Sequence, residues 1–204
     1  MRCKMGKDAK KLLKDATWKL VRDRGFKATK VQDICQEAGV SKMTFYYYYK
    51  NKQEIIEDVL EEFFNRIIEQ SEEMMKKDIP FKEKIMELVH WKADFVMTMS
   101  PTFVEELYIS AGPYVELMRN VMIRVQKMTY DFYKEGKDKG EINRGVEVNV
   151  IVFWMNIVSD MIVEGKFNDL FDDPKEMNRQ IRDLMLYGVL GNAEDEDYHD
   201  LTMF

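Results

Sequence analysis

Hydrophobic residues recur along most of the chain at spacings of three and four, the period of an amphipathic helix. The first such run covers residues 7–24, and Gly25 after it tolerates the left-handed conformation that ends a helix. Its apolar face consists of Ala9, Leu12, Leu13, Ala16 and Leu20. No alternation of period two is long enough to predict a sheet. The pattern therefore predicts an all-α protein.

Cap residues divide the next segment into short helices. Thr29, followed three residues later by a glutamine, forms a capping-box pattern that predicts a helix over residues 30–38. Gly39 then permits a sharp turn, and Ser41 can cap a third helix over residues 42–48. Three helices with a tight turn between the second and third are typical of a helix-turn-helix, in which one helix enters the major groove of DNA.

Prolines and further cap residues mark where the later helices begin. Asn51, with a glutamate three residues on, can cap a long fourth helix, and Ser100 can cap a helix that begins at Pro101. Proline suits the first turn of a helix because an N–H there has no helical partner. The remaining predicted helices span residues 80–99, 101–111, 113–139, 146–166 and 174–187. The acidic residues 191–204 are expected to form a flexible tail.

The charge of the chain is divided unevenly. The net charge is −6, but residues 1–52 hold 14 Lys and Arg against 5 Asp and Glu, a balance of +9. A basic segment joined to an acidic remainder is expected when one end of a protein meets a polyanion. The alternative is that the lysines of the first helix only solvate one of its faces, and charge alone leaves both interpretations open. These lysines are Lys7, Lys10, Lys11 and Lys14.

Composition excludes several classes of protein. With 204 residues, of which 46% are hydrophobic, the chain is large enough for a core and too apolar to be disordered. Two cysteines cannot build a disulfide framework, and the amino terminus lacks the apolar run of a signal peptide, so a cytoplasmic location is expected. The most apolar stretch, residues 148–163, is too short and too often interrupted by polar residues to predict a membrane span.

Motifs for catalysis or metal binding are absent from the sequence. It has no glycine-rich phosphate loop and no nucleophile elbow. His90 and His199 are the two histidines, and the sequence has no cluster of cysteines or carboxylates at ligand spacing that would complete a transition-metal site. We therefore expect no enzyme activity, no metal and no cofactor.

The third helix contains four consecutive tyrosines, and helical geometry divides them into two pairs. If Phe45 points inward, Tyr48 and Tyr49 lie on its side at 100° per residue, whereas Tyr46 and Tyr47 point outward. The first pair should brace the core, and the second can offer aromatic faces and hydroxyls to DNA. The other residues of this segment that we expect to face DNA are Lys42, Met43, Thr44 and Lys52.

This segment resembles the tetracycline-repressor (TetR) family of bacterial transcription regulators. The resemblance is carried by the run Gly-Phe-Lys-Ala-Thr at residues 25–29, by Val31 and Ile34, and by residues 38–52, and it covers about the first 55 residues. The remainder matches in length, helical character and order of helices. The resemblance implies an all-α homodimer whose first three helices bind operator DNA, whose middle helices enclose a ligand pocket, and whose last two long helices pair across the dimer.

Position by position, the resemblance implies a set of DNA contacts. Thr29 is expected near a phosphate at the start of the second helix. Met43 stands where the family usually has a small residue, so an apolar side chain can meet a thymine methyl. Cys35, in place of an alanine, is expected to be a small buried hydrophobe. The expected DNA-binding residues are Thr29, Lys42, Met43, Thr44, Tyr46, Tyr47 and Lys52.

The remainder of the chain offers weaker indications of a ligand site. Methionines and aromatic residues can line an adaptable apolar cavity, although each of them singly also suits a core. The candidate ligand-binding residues are His90, Trp91, Phe95, Tyr108, Met118, Met122 and Trp154. A polar stripe on the helix over residues 146–166 can face a pocket, a partner subunit or solvent. It consists of Asn149, Asn156, Asp160 and Glu164.

These observations predict a DNA-binding transcriptional regulator. The expected domains are a helix-turn-helix domain over residues 1–52 and a helical effector-binding and dimerisation domain over residues 53–190. We expect a homodimer, formed through residues 146–166 and 174–190, that represses from a palindromic operator in double-stranded DNA and is released by a small hydrophobic or aromatic effector. The alternative is a DNA-binding regulator without a small-molecule effector, controlled by a protein partner.

Overall fold

The computed structural model describes residues 2–96, 98–108, 112–143 and 145–164, and positions 166–167, 170–171, 173, 176–177, 179–181 and 183–184. Within these residues the chain forms α-helices and no strand, so the predicted all-α fold is confirmed. The helices are α1 (Arg2–Arg24), α2 (Val31–Ala38), α3 (Lys42–Tyr48), α4 (Lys52–Met75), α5 (Phe81–Val96), α6 (Pro101–Tyr108), α7 (Val115–Asp138) and α8 (Val148–Val163), with a 3-10 turn at Gly112–Tyr114.

Several helices begin at the caps predicted from the sequence. Ser41 Oγ, Asn51 Oδ1 and Ser100 Oγ each accept a hydrogen bond from the backbone N–H three residues on, at 3.0, 2.9 and 3.1 Å. These bonds satisfy N–H groups that have no partner inside the helix. The other boundaries agree with the predicted ones to within a few residues, except that α1 extends back to Arg2. Half of the predicted helix over residues 174–187, and all of the tail over residues 191–204, lie outside the described residues.

The capping box predicted at Thr29 is wrong. The N-cap of α2 is Lys30, and no side chain caps this helix. Thr29 is fully buried, and its hydroxyl donates a hydrogen bond of 2.7 Å to the carbonyl of Gly25. The tight turn after α1 offers the hydroxyl a buried backbone acceptor, and this local bond replaces the cap.

The chain divides into two compact units. The first comprises residues 1–70 and 94–122, and the second comprises residues 71–93 and 123–204. The domain limits expected from the sequence, 1–52 and 53–190, stay a prediction. Among the residues that the structure describes, no helix has the length and apolarity needed to cross a membrane.

An aromatic cluster lies in the core of the first unit. The ring centroid of Phe63 on α4 is 4.5 Å from that of Trp18 on α1 and 5.6 Å from that of Phe95 on α5. Phe103 of α6 meets Trp18 edge-on at 5.8 Å. Aliphatic residues and one further aromatic ring complete this core as its fully buried side chains: Leu13, Val21, Ile34, Phe45, Ile55, Ile56 and Leu60. Their burial stabilises the helix-turn-helix together with α4 and α6.

The second unit has its own core between α5, α7 and α8. Phe81 stacks on Phe132 with ring centroids 4.6 Å apart. Gly136 allows α7 to approach closely, because a Cβ at this position would lie 2.6 Å from the Phe81 ring. The buried residues of this core are Phe81, Ile85, Phe132, Tyr133, Ile142, Val148 and Ile151.

Candidate nucleic-acid interface

The turn between α2 and α3 is tight and is held by backbone hydrogen bonds. Gly39 has a φ of 65°, which is a left-handed conformation that glycine adopts readily. Its N–H and that of Val40 donate to the carbonyls of Gln36 and Cys35 at 3.2 and 3.0 Å, which ends α2. Ser41 then caps α3 immediately. This geometry is that of the predicted helix-turn-helix.

Helix α3 presents one face to solvent, as its periodicity predicted. Phe45 and Tyr49 are buried, whereas Met43 is 84% and Tyr47 79% exposed. Tyr46 is also exposed. An exposed set of apolar and aromatic side chains on a helix is a surface able to contact base edges and the backbone of DNA. The remaining members of the expected DNA-facing set on α3 are Lys42, which is exposed, and Thr44, which is half-buried.

A half-buried carboxylate that the sequence did not reveal fixes the back of α3. The Tyr49 hydroxyl donates a hydrogen bond of 2.8 Å to Asp58 of α4, and the Lys14 ammonium of α1 binds the same carboxylate at 2.9 Å. Lys10 lies 3.4 Å from it. Burial alone would raise the pKa of Asp58, but the hydrogen bonds from Lys14 and Tyr49 and the lysine charges hold it below its ordinary value.

Over residues 9–24, where the side chains of α1 are described, most basic residues are paired within the protein. Besides Asp58, Lys14 binds Glu62 at 2.5 Å. Lys19 binds Glu37 of α2 at the same distance. The positive balance of the first 52 residues already counts Glu37, and Asp58 and Glu62 of α4 neutralise part of it from outside that segment. We therefore expect cationic side chains at other positions to contact the DNA phosphates.

Two residues expected to contact phosphate form hydrogen bonds with the turn after α1, and their contact with DNA stays a prediction. The Lys52 ammonium donates hydrogen bonds to the carbonyls of Phe26 at 3.1 Å and Lys27 at 3.4 Å. The Thr29 hydroxyl is occupied by the Gly25 carbonyl. The assignment of Lys52 rested on its charge and its place at a helix start, and that of Thr29 on the family resemblance. Neither argument shows which backbone groups these side chains bind. Lys30, which is exposed at the N-cap position of α2, is a further cation that the sequence pattern did not single out.

Cys35 is the small buried residue that the sequence predicted. It lies on the inner side of α2 next to Ile34. Burial raises the pKa of its thiol, although the positive charge of Lys42 acts in the opposite direction. A buried thiol with a raised pKa is unreactive, which agrees with a packing role.

The residues expected to line a ligand cavity differ in their exposure. His90, Met122 and Trp154 are exposed, whereas Met118 is buried and Phe95 packs on Phe63. Trp91 is half-buried, and the side chain of Tyr108 lies outside the described residues. Their common role as a cavity lining stays a prediction. In the described ranges, no group of three or more His, Cys, Asp or Glu is arranged to hold a metal ion.

The second unit carries an open groove of about 420 Å³ between α7 and α8. Asn149 and Asn156 of the polar stripe line it, and Asp160 and Glu164 are likewise exposed. Two of the four stripe residues therefore border a solvent-accessible groove. The groove is lined by Ile123, Gln126, Lys127, Tyr130, Asn149, Val152, Phe153 and Asn156.

Comparison with known proteins gives a consistent result. The sequence model of the family described as "Bacterial regulatory proteins, tetR family" matches residues 13–59, which contain most of α1, all of α2 and α3, and the start of α4. The chain is 22% identical over 181 residues to the fatty acid metabolism regulator protein of Bacillus subtilis, covering 86% of this chain and 92% of that protein. It is 25% identical over 137 residues to the HTH-type transcriptional repressor KstR2 of Mycolicibacterium smegmatis, covering 63% of this chain and 65% of that protein.

Solved structures share the fold over nearly the whole chain. The FadR regulator of Bacillus subtilis, solved in complex with stearoyl-CoA, superposes with a TM-score of 0.67 at 21% identity and covers 87% of this chain and 97% of its own. The relatives are named as transcriptional regulators. A helix-turn-helix with an exposed recognition face, matched in sequence over the same residues, is a DNA-binding element. Over residues 13–59 the chain therefore matches the TetR family of bacterial regulatory proteins, and the relatives that it resembles over most of its length are regulators as well.

Proposed function

We propose that the protein is a ligand-responsive repressor that binds a palindromic operator as a homodimer and is released by a small hydrophobic effector. The observation that carries this proposal is the exposed face of α3, where Met43 and Tyr47 are almost fully accessible on a helix whose other side is buried. Large apolar side chains held rigidly in solvent are costly unless a partner covers them. For the second helix of a helix-turn-helix, that partner is the major groove.

Within this proposal the expected contacts have different roles. Met43, Tyr46 and Tyr47 meet base edges and sugar, and Thr44 lies beside them at the start of α3. Lys42 reaches a phosphate from the first turn of α3, and Lys30 does so from the start of α2, where free backbone amides also favour an anion. Lys52 and Thr29 act by holding the turn after α1, which orients α2.

A homodimer explains the outer surface of α8. Val150, Phe153, Trp154 and Met161 are large apolar residues exposed on this helix. Pairing of residues 146–166 and 174–190 with their copies would remove this surface from water. Two α3 helices related by a twofold axis would then enter successive major grooves roughly 34 Å apart.

The hydrophobic effector is inferred from the relatives. The FadR structure holds stearoyl-CoA, and a regulator similar in fold, KstR2 of Mycobacterium tuberculosis, is named for ketosteroids (TM-score 0.60 at 17% identity, covering 90% of this chain and 95% of its own). Both ligand classes contain an extended apolar part, the acyl chain of stearoyl-CoA and the fused rings of a steroid. A long-chain acyl-CoA or a steroid is therefore the class of effector to test first.

The experiment is a selection of bound DNA from a random library with the purified protein. The proposal expects a palindromic sequence, a dimer in light scattering, and loss of the DNA complex when stearoyl-CoA or a steroid is added. A non-palindromic site bound by a monomer would contradict the proposed assembly. If the protein binds its operator as a dimer and none of the hydrophobic probes releases it, control by a protein partner would be favoured.

A further inference from the structure

Residues far away in the sequence hold the turn between α1 and α2. The carboxylate of Glu106 on α6 is buried, with 6% of the residue exposed, and accepts hydrogen bonds from the backbone N–H of Phe26 at 2.5 Å and of Lys27 at 3.1 Å. From the other side, Lys52 donates to the carbonyls of the same two residues. One carboxylate and one ammonium thus satisfy the backbone donors and acceptors of the turn.

Gly25 makes the approach of Glu106 possible. Its φ of 83° ends α1 in the left-handed conformation, and the two N–H groups that follow have no helical partner. A Cβ at this position would lie 2.5 Å from Oε2 of Glu106. Because a buried carboxylate without donors is strongly disfavoured, the carboxylate and the turn depend on each other.

Two further contacts join this turn to the segment around α6. The N–H of Ser100, the cap of α6, donates to the carbonyl of Arg22 at 3.1 Å. The ring of Tyr114 meets that of Phe26 edge-on with centroids 5.1 Å apart. Ser100, Glu106 and Tyr114 belong to the first unit but lie outside residues 13–59, the part that matches the family. The helix-turn-helix is therefore held from outside its own sequence.

We propose that Glu106 is a positioning residue for operator binding, which fixes the direction in which α2 and α3 leave the end of α1. The inference rests on the proposed binding of a dimer to two half-sites. Charge-assisted hydrogen bonds are short and directional, so the turn follows the position of α6. In a dimer, the direction of α3 sets the separation of the two recognition helices, and Glu106 thereby determines which half-site spacing the protein accepts.

The test measures how strictly the protein reads that spacing. The DNA sequence selected with wild-type protein is resynthesised with its centre lengthened or shortened by one or two base pairs, and the affinities of wild type, Glu106→Gln and Glu105→Gln are compared. Glu105 is the exposed neighbour on α6 and provides the matched control. Glutamine keeps the shape of the side chain but removes its charge. A variant that is only less stable would lose affinity for all spacings by one factor.

We expect Glu106→Gln to lose about tenfold of the preference for the selected spacing, whereas Glu105→Gln keeps it. Gly25→Ala, whose methyl group would displace the carboxylate, should give the same loss. An unchanged spacing preference in both Glu106→Gln and Gly25→Ala, with helix content equal to wild type in circular dichroism, would overturn the inference. If wild-type protein itself binds all spacings equally, the proposed dimeric binding is overturned as well. The wild-type result therefore distinguishes a failure of the proposed function from a failure of the role of Glu106 alone.

Discussion

The Tyr49 hydroxyl donates a hydrogen bond of 2.8 Å to Asp58, and this bond joins the end of α3 to α4. The same carboxylate binds Lys14, so three helices of the first unit meet at one acidic side chain. Burial, with the hydrogen bond to Asp58 and its charge, raises the pKa of Tyr49 well above its ordinary value. The phenol therefore remains a donor at neutral pH, and the recognition helix keeps this attachment.

Tyr49→Phe should lower the free energy of unfolding by about 1–2 kcal/mol, because Asp58 loses a hydrogen-bond donor in a partly buried site. Urea denaturation followed by circular dichroism measures the change. Tyr47→Phe is the control, since that ring is exposed, and its effect should stay within about 0.5 kcal/mol. Equal stabilities of Tyr49→Phe and wild type would show that the bond contributes nothing.

Because the pKa of Asp58 is lowered in the folded protein, we expect the free energy of unfolding to decrease in acid. A carboxyl group whose pKa is lower in the folded state stabilises fully above its unfolded pKa, and this contribution is lost as the pH falls through the folded pKa. The stability difference between wild type and Asp58→Asn should therefore be constant near neutral pH and shrink below about pH 4. Urea denaturation at several pH values measures it, with Asp15→Asn on the exposed side of α1 as control. A difference that persists unchanged at pH 2 would refute this assignment.

Met43→Ala and Lys42→Ala should affect DNA binding in different ways. The methionine offers an apolar contact, so its loss should cost about 1 kcal/mol, or fivefold, on the operator and little on random DNA. The lysine offers a phosphate contact, so its loss should weaken both kinds of DNA and reduce the slope of log affinity against log salt by about 1. Fluorescence anisotropy titrations at several salt concentrations separate the two. Identical behaviour of the variants would mean that the orientation of α3 on DNA differs from the one proposed.

Phe153→Glu should prevent dimerisation. The ring is exposed on α8, so a charge there leaves the fold of the chain intact but cannot be buried against a second copy. Light scattering after gel filtration should give a monomer for this variant and a dimer for Asn120→Glu, which changes an exposed residue on α7. A Phe153→Glu protein that remains dimeric would place the interface elsewhere.

The parts of the structure that depend on neighbouring residues could be predicted from the sequence. Side chains three and four positions apart share a helical face, so with Phe45 inward Tyr49 was correctly predicted to be buried and Tyr46 and Tyr47 exposed. Tyr48, predicted to brace the core with Tyr49, is half-buried. The caps at Ser41 and Asn51 followed from the same local rule.

Contacts across the fold could not be predicted in this way. Asp58, Glu106 and Lys52 look like ordinary charged residues of amphipathic helices in the sequence. Their partners lie 9 to 80 residues away, and only the packed structure brings them within hydrogen-bond distance. The capping box predicted at Thr29 was wrong for a related reason. The hydroxyl of Thr29 binds the Gly25 carbonyl, which becomes available only when the turn at Gly25 has formed.

The buried thiol of Cys35 allows the rate at which α2 separates from its neighbouring helices to be measured. A thiol reagent reaches Cys35 only when α2 separates from its neighbours, so the rate of modification reports how often that separation occurs. Compared with the rate for an unfolded peptide, it gives the local opening equilibrium without denaturant. If Cys35 reacts slowly, α2 and α3 are already folded before the protein meets DNA. Binding then does not include the entropic cost of ordering these two helices.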